Sequence, residues 1–497
     1  MKRVFPASFY NLLTVIGLAV VVVSLGLILF MGLLEAMAKS PKPYVGIIAF
    51  VILPAILLVG IGIMIAGVVR EHRRQRKGLS KGMHLPQIDL NNPRHRRATV
   101  VVVAGSVLLL MLSAFGSFQA YEHTDSDEFC GETCHTVMEP EYTAYQFSPH
   151  ARVGCAKCHI GPGAGWFVRS KLSGAYQVYA ALFDKFPRPI PTPIQNLRPA
   201  QETCEQCHWP KHFYSEKLHV NKYYMGDEEN TEWMLELLMK IGGGNVEAGP
   251  TSGIHWHMNI AHKVEYVALD NARQTIPVVS VTNPDGTKRT YRNHEIDITD
   301  DSLSRMPTRT MDCIDCHNRP SHIYHPGARS TNHLMSLGWI DPELPYVKSK
   351  SVEVLETEYS TRENARDSID LLIREFYKSE YPEIEAAKKE QIERTIEQLQ
   401  NIYSRSYFPE MTVNWKRFTD NIGHFYYPGC FRCHDGKHES DDGKVLSRDC
   451  NACHTILAQE MVGDSLRVSL GGVDYKHPVD IGEIWKEMNC SDCHNPT

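Results

Sequence analysis

Three long apolar runs open the chain, and after them the pattern changes to short, mixed segments. Residues 8–34, 44–69 and 98–118 are each long enough to cross a bilayer as a helix, and a buried core helix does not explain three such runs before any polar domain. Beyond residue 120 the periods shorten. Residues 263–292 alternate apolar and polar around Asn283, Pro284, Asp285 and Gly286, which predicts a β-hairpin. Residues 360–378 open on a capping box, Ser360 to Glu363, and continue with Ile369, Leu372, Ile373 and Phe376 at helical spacing. Residues 382–403 repeat that pattern after Pro382, with Ile392, Ile396, Leu399 and Tyr403 on one face. The predicted fold class is mostly α and irregular, with N-terminal transmembrane helices, a small β-hairpin and an αα pair serving as scaffold.

Charge orients the spans. The loop of residues 70–98 carries nine Lys or Arg against two acids, Glu71 and Asp89, so the positive-inside rule makes it cytoplasmic. A basic run can also bind nucleic acid, but between two membrane spans that reading is the weaker one, and no nucleic-acid partner is expected. The third helix then runs outward, and the chain after about residue 120 lies on the far side. Residues 1–120 hold 13 basic and 3 acidic side chains, while the whole chain is at −6, so the extramembrane part is strongly acidic. Such a surface suits basic or lysine-rimmed protein partners. The first run is too long for a signal-peptide core and is followed by a second span, so it is expected to stay as an anchor.

All 14 cysteines fall into seven repeats of one signature. The pairs are Cys130 and Cys134, Cys155 and Cys158, Cys204 and Cys207, Cys313 and Cys316, Cys430 and Cys433, Cys450 and Cys453, and Cys490 and Cys493. Each second cysteine is followed at once by a histidine: His135, His159, His208, His317, His434, His454 and His494. Two thiols at this spacing form thioethers to the vinyl groups of one haem, and the adjacent histidine reaches the iron. Zinc does not require a histidine after every second cysteine, and disulfides would leave the histidines without a reason. The sequence therefore predicts seven covalently attached haems c. The first copy is irregular, with three residues between its cysteines.

Histidine supply sets the kind of haem. Of 24 histidines, seven belong to the signatures and three (His72, His84 and His95) to the cytoplasmic loop. The remaining fourteen are enough to give every haem a second axial nitrogen, which closes the iron to small molecules and suits it to electron transfer. The distal candidates are His150, His219, His257, His262, His322, His424, His438 and His477, with His212, His255 and His325 as close rivals. No histidine and no ionisable pair lies inside the apolar runs, so electrons have no route through the bilayer in this chain and must enter at the outer interface.

Residues 99–208 resemble the NapC/NirT family of membrane-anchored quinol-oxidising cytochromes. The likeness is carried by the outward helix leading into Cys130 to His135 and Met138, by Tyr145 to His150, and by Cys155 to His159 followed by Gly165, Trp166 and Lys171. The resemblance implies that Met138 is the iron ligand of the membrane-proximal haem, that His150 ligates a later haem, and that Lys171 lies near a quinol pocket. This chain departs from the usual family pattern in its extra helical hairpin, its seven haems and its displaced Met138. As a whole it is most similar to heptahaem members of the family from the inner membranes of metal-respiring bacteria.

The expected function is oxidation of menaquinol at the periplasmic face of the bacterial inner membrane, with electrons passing through the haems to periplasmic c-type cytochromes. A quinol releases protons with its electrons, and Lys171, Asp184, Glu139 and His123 are the candidate acceptors near the first haem. Two other readings stay open: a relay subunit without its own quinol site, and a terminal reductase of nitrite, hydroxylamine or a similar small oxidant. The expected domains are a membrane anchor (1–120), a region of haems 1–3 (121–210), a middle region with the hairpin and haem 4 (211–345), a helical scaffold (346–410) and a region of haems 5–7 (411–497). Oligomeric state is not encoded in these patterns.

Overall fold

The computed structural model describes residues 7–9, 11–37, 52–78, 89–133, 135–161, 164–194, 198–208, 216–243, 253–258, 261–460 and 466–495, without the side chains of residues 31–37, 133, 135, 136, 164 and 167. Cys134, His212 and residues 44–51 and 79–88 of the expectations above lie outside the described residues. The chain forms two units, one of residues 1–126 with 160–176, the other of residues 127–159 with 177–497.

The first unit contains three helices long and apolar enough to cross a membrane: α1 (Leu12–Met37), α2 (Leu53–Arg76) and α3 (Pro93–Thr124). Helices α1 and α2 approach closely because glycines line their seam. A Cβ on Gly17 would meet the backbone N of Met64 at 2.5 Å, and one on Gly60 would meet Val20 at 2.8 Å. In lipid, where apolar side chains gain little by leaving their surroundings, such backbone contact and interhelical hydrogen bonds hold helices together. Asn11 supplies one of those bonds, its Nδ2 donating to Gly67 O at 3.3 Å. Helix α3 starts on Pro93, with the Asn92 side chain capping Arg94 N at 3.0 Å, and buries none of its residues. It continues to Thr124, six residues beyond the end of its apolar run at 118, because Gln119 to His123 remain helix-compatible.

The second unit starts with α4 (His135–Gln146) and α5 (Cys155–His159), and α6 (Ala164–Leu182) spans the boundary between the units. Its largest core is helical: α7 (Gly327–Ser336), α8 (Val347–Glu356), α9 (Arg362–Glu380), α10 (Pro382–Ala387) and α11 (Lys389–Ser406). Helix α9 buries Ile369, Ile373 and Tyr377, and α11 buries Ile392, Ile396, Leu399 and Tyr403, each set one helical turn apart. Arg374 forks onto Glu393 across the pair. The scaffold helices stand where periodicity puts them, with two adjustments. Thr361, one residue after Ser360, is the N-cap of α9, and the second helix breaks at Lys388 into α10 and α11.

The β content exceeds the single hairpin expected. One sheet has the order β1-β2-β8-β9, the other β6-β3-β4-β5-β7. The strands are β1 (Lys217–Tyr224), β2 (Glu232–Met239), β3 (Lys263–Val267), β4 (Val278–Thr282), β5 (Lys288–Asn293), β6 (Arg309–Thr310), β7 (His438–Ser440), β8 (His454–Glu460) and β9 (Arg467–Val468). The hairpin at Asn283 to Thr287 joins β4 to β5, with Gly286 at φ 82°. Strand β2 was hidden because its Leu, Met and Glu favour helix locally, and its partner β8 comes more than two hundred positions later. These sheets also position the signatures: β6 leads into Cys313, β7 follows His434, and β8 starts at His454 itself.

Candidate functional site

Each signature occupies a short turn whose free backbone N–H groups need partners. Asp312 and Asp315 form a reciprocal capping box around Cys313, the Asp312 N–H donating to Asp315 Oδ2 at 2.7 Å. Asn489 and Asp492 repeat it around Cys490 at 3.0 Å. Asp127 does the same work at a distance for the second signature, its Oδ1 accepting from Cys155 N at 2.7 Å while Oδ2 accepts from Tyr145 OH at 2.7 Å. Burial would raise the Asp127 carboxyl, but the hydrogen bonds from Cys155 and Tyr145 hold it below its ordinary value. The first signature absorbs its additional residue in a π-helical turn, Phe129–Thr133, which is wider than an α turn. Gly131 is required in that turn, since a Cβ there would run into the Tyr142 ring.

Thiols of successive signatures are neighbours in chain order; in a haem protein they become the thioether sulfurs. Cys155 is hydrogen-bonded to Cys130, and Cys313 to Cys204. Burial and then Cys204 and Cys207 push the Cys158 thiol up, while burial and Cys430 do so at Cys316 and at Cys453. Burial raises Cys490 as well, with Cys450 adding to it. Charge repulsion of this kind requires proximity. The seven signatures therefore follow one another through space in the order of the sequence.

A histidine nitrogen binds a metal at about 2 Å, so two imidazoles on opposite sides of one iron have ring centres about 6 Å apart. Six signature histidines face a second histidine at this separation. His159 lies 6.2 Å from His322, His208 6.0 Å from His150, and His317 6.4 Å from His255. His434 lies 5.9 Å from His257, His454 6.2 Å from His424, and His494 6.3 Å from His477. Backbone carbonyls hold the distal rings through Nδ1: Glu141 O for His322 (2.9 Å), Pro320 O for His150 (3.2 Å), Ile241 O for His255 (2.6 Å), Ile254 O for His257 (2.7 Å) and Val479 O for His477 (2.8 Å). A carbonyl only accepts, so at His150, His255, His257 and His322 Nδ1 carries the proton and Nε2 is left to bind metal, while at His477 the Val479 N–H also reaches Nδ1, at 3.2 Å. Burial lowers His159, His257 and His322 and pushes His424 down to about 4, which favours the neutral imidazole that a metal needs. These residues fit haem c with two axial histidines.

Other candidates stand elsewhere. His438 is fully buried, but Asp435 Oδ1 at 2.9 Å and Ile276 O at 2.8 Å engage both of its nitrogens. His219 sits in β1 opposite Leu237, and His262 packs on Trp256 at 4.7 Å; neither faces a signature histidine among the described residues. Sequence places His255 only as a rival of its neighbour; the available signal is the pattern His255-Trp256-His257, which puts two imidazoles in one short segment. The capping boxes at Asp312 and Asn489 were likewise legible as acid or amide three positions before an acid.

Met138 is half-buried on α4, three positions after His135 in the same helix. Three of the four candidate proton acceptors carry ion-pair partners. Lys171 Nζ is 2.8 Å from Asp125 and 3.3 Å from Thr124 Oγ1, Glu139 is 2.6 Å from Arg362, and Asp184 is 2.6 Å from Arg188.

Residues 92–189 match the N-terminal region of the NapC/NirT cytochrome c family. Over 486 residues the chain is 41% identical to the cytochrome c-type protein ImcH of Geobacter sulfurreducens, an alignment that covers 98% of this chain and 95% of that protein. No solved structure matches it. With the apolar helices as anchor, the chain belongs to the NapC/NirT cytochrome c family of membrane-bound electron-transfer proteins, a family that carries covalently bound haem c.

Proposed function

We propose that this protein is a heptahaem menaquinol dehydrogenase of the bacterial inner membrane, with its haem-bearing part in the periplasm, delivering electrons to periplasmic c-type cytochromes. The observation that carries the reading is the set of six histidine pairs at 5.9 to 6.4 Å, strung in chain order. Haem c, when bound, supplies a one-electron carrier at each pair. Closed axial positions favour electron transfer over reduction of a small oxidant. The first signature is the exception, and Met138 is its proposed distal ligand.

Entry is assigned to the first signature, which begins six residues after α3 ends at Thr124. Lys171, held by Asp125, offers a quinol oxygen a positive partner, and the Asp125 carboxylate offers its proton an acceptor. Glu139 and Asp184 remain candidates whose pairs with Arg362 and Arg188 would have to open first. Electrons leave from the seventh signature, Cys490 to His494.

The test is anaerobic mixing of the detergent-solubilised, haem-loaded protein with a menaquinol analogue. Rapid haem reduction, blocked by a quinol-site inhibitor and slowed at least tenfold in Lys171→Ala, is expected. Absence of reduction in protein that dithionite reduces fully would replace this reading by a relay subunit fed by another protein.

A further inference from the structure

The fourth and fifth signatures meet at an arginine whose charge no carboxylate cancels. Arg432 is the residue before Cys433, inside the fifth signature. Its guanidinium donates to three backbone carbonyls: Gly429 O at 2.9 Å, Arg273 O at 2.8 Å and Asp315 O at 2.7 Å. Asp315 is the matching residue of the fourth signature, directly before Cys316. Among the described residues no Asp or Glu lies within ion-pair distance of Arg432. The nearby carboxylate is already committed, since Asp315, 2% exposed, takes Tyr266 OH at 2.7 Å, Arg273 at 2.7 Å and Arg309 at 2.8 Å. Asp312, the other acid at this junction, caps Cys313 N and accepts from Ala200 N. Three guanidinium groups thus stand against two carboxylates, and the two that are ion-paired, Arg273 and Arg309, share Asp315.

That charge touches both attachment loops. Arg432 lies between Cys430 and Cys433 of the fifth signature, and its guanidinium donates at 2.7 Å to the carbonyl of Asp315, the residue directly before Cys316 in the fourth. A cation close enough to act on both attachment loops also acts on the haems they hold. Reduction adds one negative charge to a haem, and a fixed positive charge in a poorly hydrated site stabilises the reduced form.

We propose that Arg432 is a shared redox-tuning residue that raises the reduction potentials of the fourth and fifth haems together, making a mid-chain pair that holds electrons. The proposal rests on the heptahaem reading. It belongs to the chain's own charge placement and assigns the middle of the path a role different from its ends.

The experiment is a spectroelectrochemical titration of the purified, haem-loaded protein and of Arg432→Gln, with haem content first counted by intact mass. Two one-electron components are expected to move to lower potential in Arg432→Gln, while Arg432→Lys, which keeps the charge, leaves them near their original positions. Arg309→Gln removes a second cation from the junction without touching the carbonyl bonds, and it is expected to move the same two components in the same direction. Full haem content with no component displaced, or an equal displacement in Arg432→Lys, would overturn the proposal. So would failure of all three variants to load haem, which would make Arg432 a structural clamp. A native protein with fewer than seven haems by mass would instead overturn the reading beneath it.

Discussion

His255 and His257 stand on one turn of five residues, yet they face different signature histidines, His317 at 6.4 Å and His434 at 5.9 Å. A 3-10 turn sends alternate side chains to different sides, so a single peptide segment presents an imidazole to each of two signature histidines. Each ring is fixed separately by its own carbonyl, Ile241 O and Ile254 O. Removal of one histidine should therefore leave the other site intact. His255→Ala and His257→Ala are each expected to convert one haem-equivalent from low-spin to a carbon-monoxide-binding form, and the double variant two. Absorbance difference spectra of the reduced protein with carbon monoxide measure this directly.

The paired rings differ in mutual orientation. His150 and His208 are at 80° and His257 and His434 at 87°, whereas His255 and His317 are at 2°, His424 and His454 at 20° and His477 and His494 at 28°. Crossed axial imidazoles give ferric haem a strongly anisotropic low-spin resonance, and parallel ones a rhombic one. Low-temperature electron paramagnetic resonance should show both classes, with His257→Ala removing intensity from the anisotropic class alone.

Gly131 lies under the Tyr142 ring in the π turn of the first signature. Gly131→Ala is expected to cost one haem, seen as a single-haem deficit in the intact mass. Tyr142→Ala in the same chain should restore it, because the clash partner is then gone.

Lys348 is buried in the helical scaffold, its Nζ donating to Ala328 O at 2.5 Å, and burial pushes its pKa down to about 7. The unfolded chain keeps the ordinary lysine value of 10.5, so between these two pH values the unfolded state binds more protons and stability rises with pH. The slope is on the order of 1 kcal/mol per pH unit. Thermal unfolding of the loaded protein should show Tm increasing from pH 7.5 to 9.5, and Lys348→Met should flatten that increase while raising Tm at pH 7.5.

What could be read from sequence was local. The signatures, the apolar spans, the β4–β5 turn and the two amphipathic scaffold helices all declare themselves within a short window. Distal partners do not, because facing a particular iron is a property of the packed chain. His322 and His150 come opposite His159 and His208 only through hydrogen bonds to Glu141 O and Pro320 O, each more than a hundred positions away in sequence. His438, four residues after the fifth signature ends, is as well placed in sequence as His424, six residues before it starts, but Asp435 and Ile276 hold His438 within the second sheet. Strand β2 shows the same limit, since its helix-favouring residues become a strand between β1 and the distant β8.

The separation of His159 from His322 along the chain also orders events in time. During synthesis the second signature appears early and the imidazole opposite it, His322, much later. On the heptahaem reading, attachment at Cys155 and Cys158 would precede the packing of His322, and a haem held there would gain its second imidazole only once that segment folds. Maturation would thereby be tied to folding, and a truncation just before His322 would leave the second site without its distal histidine.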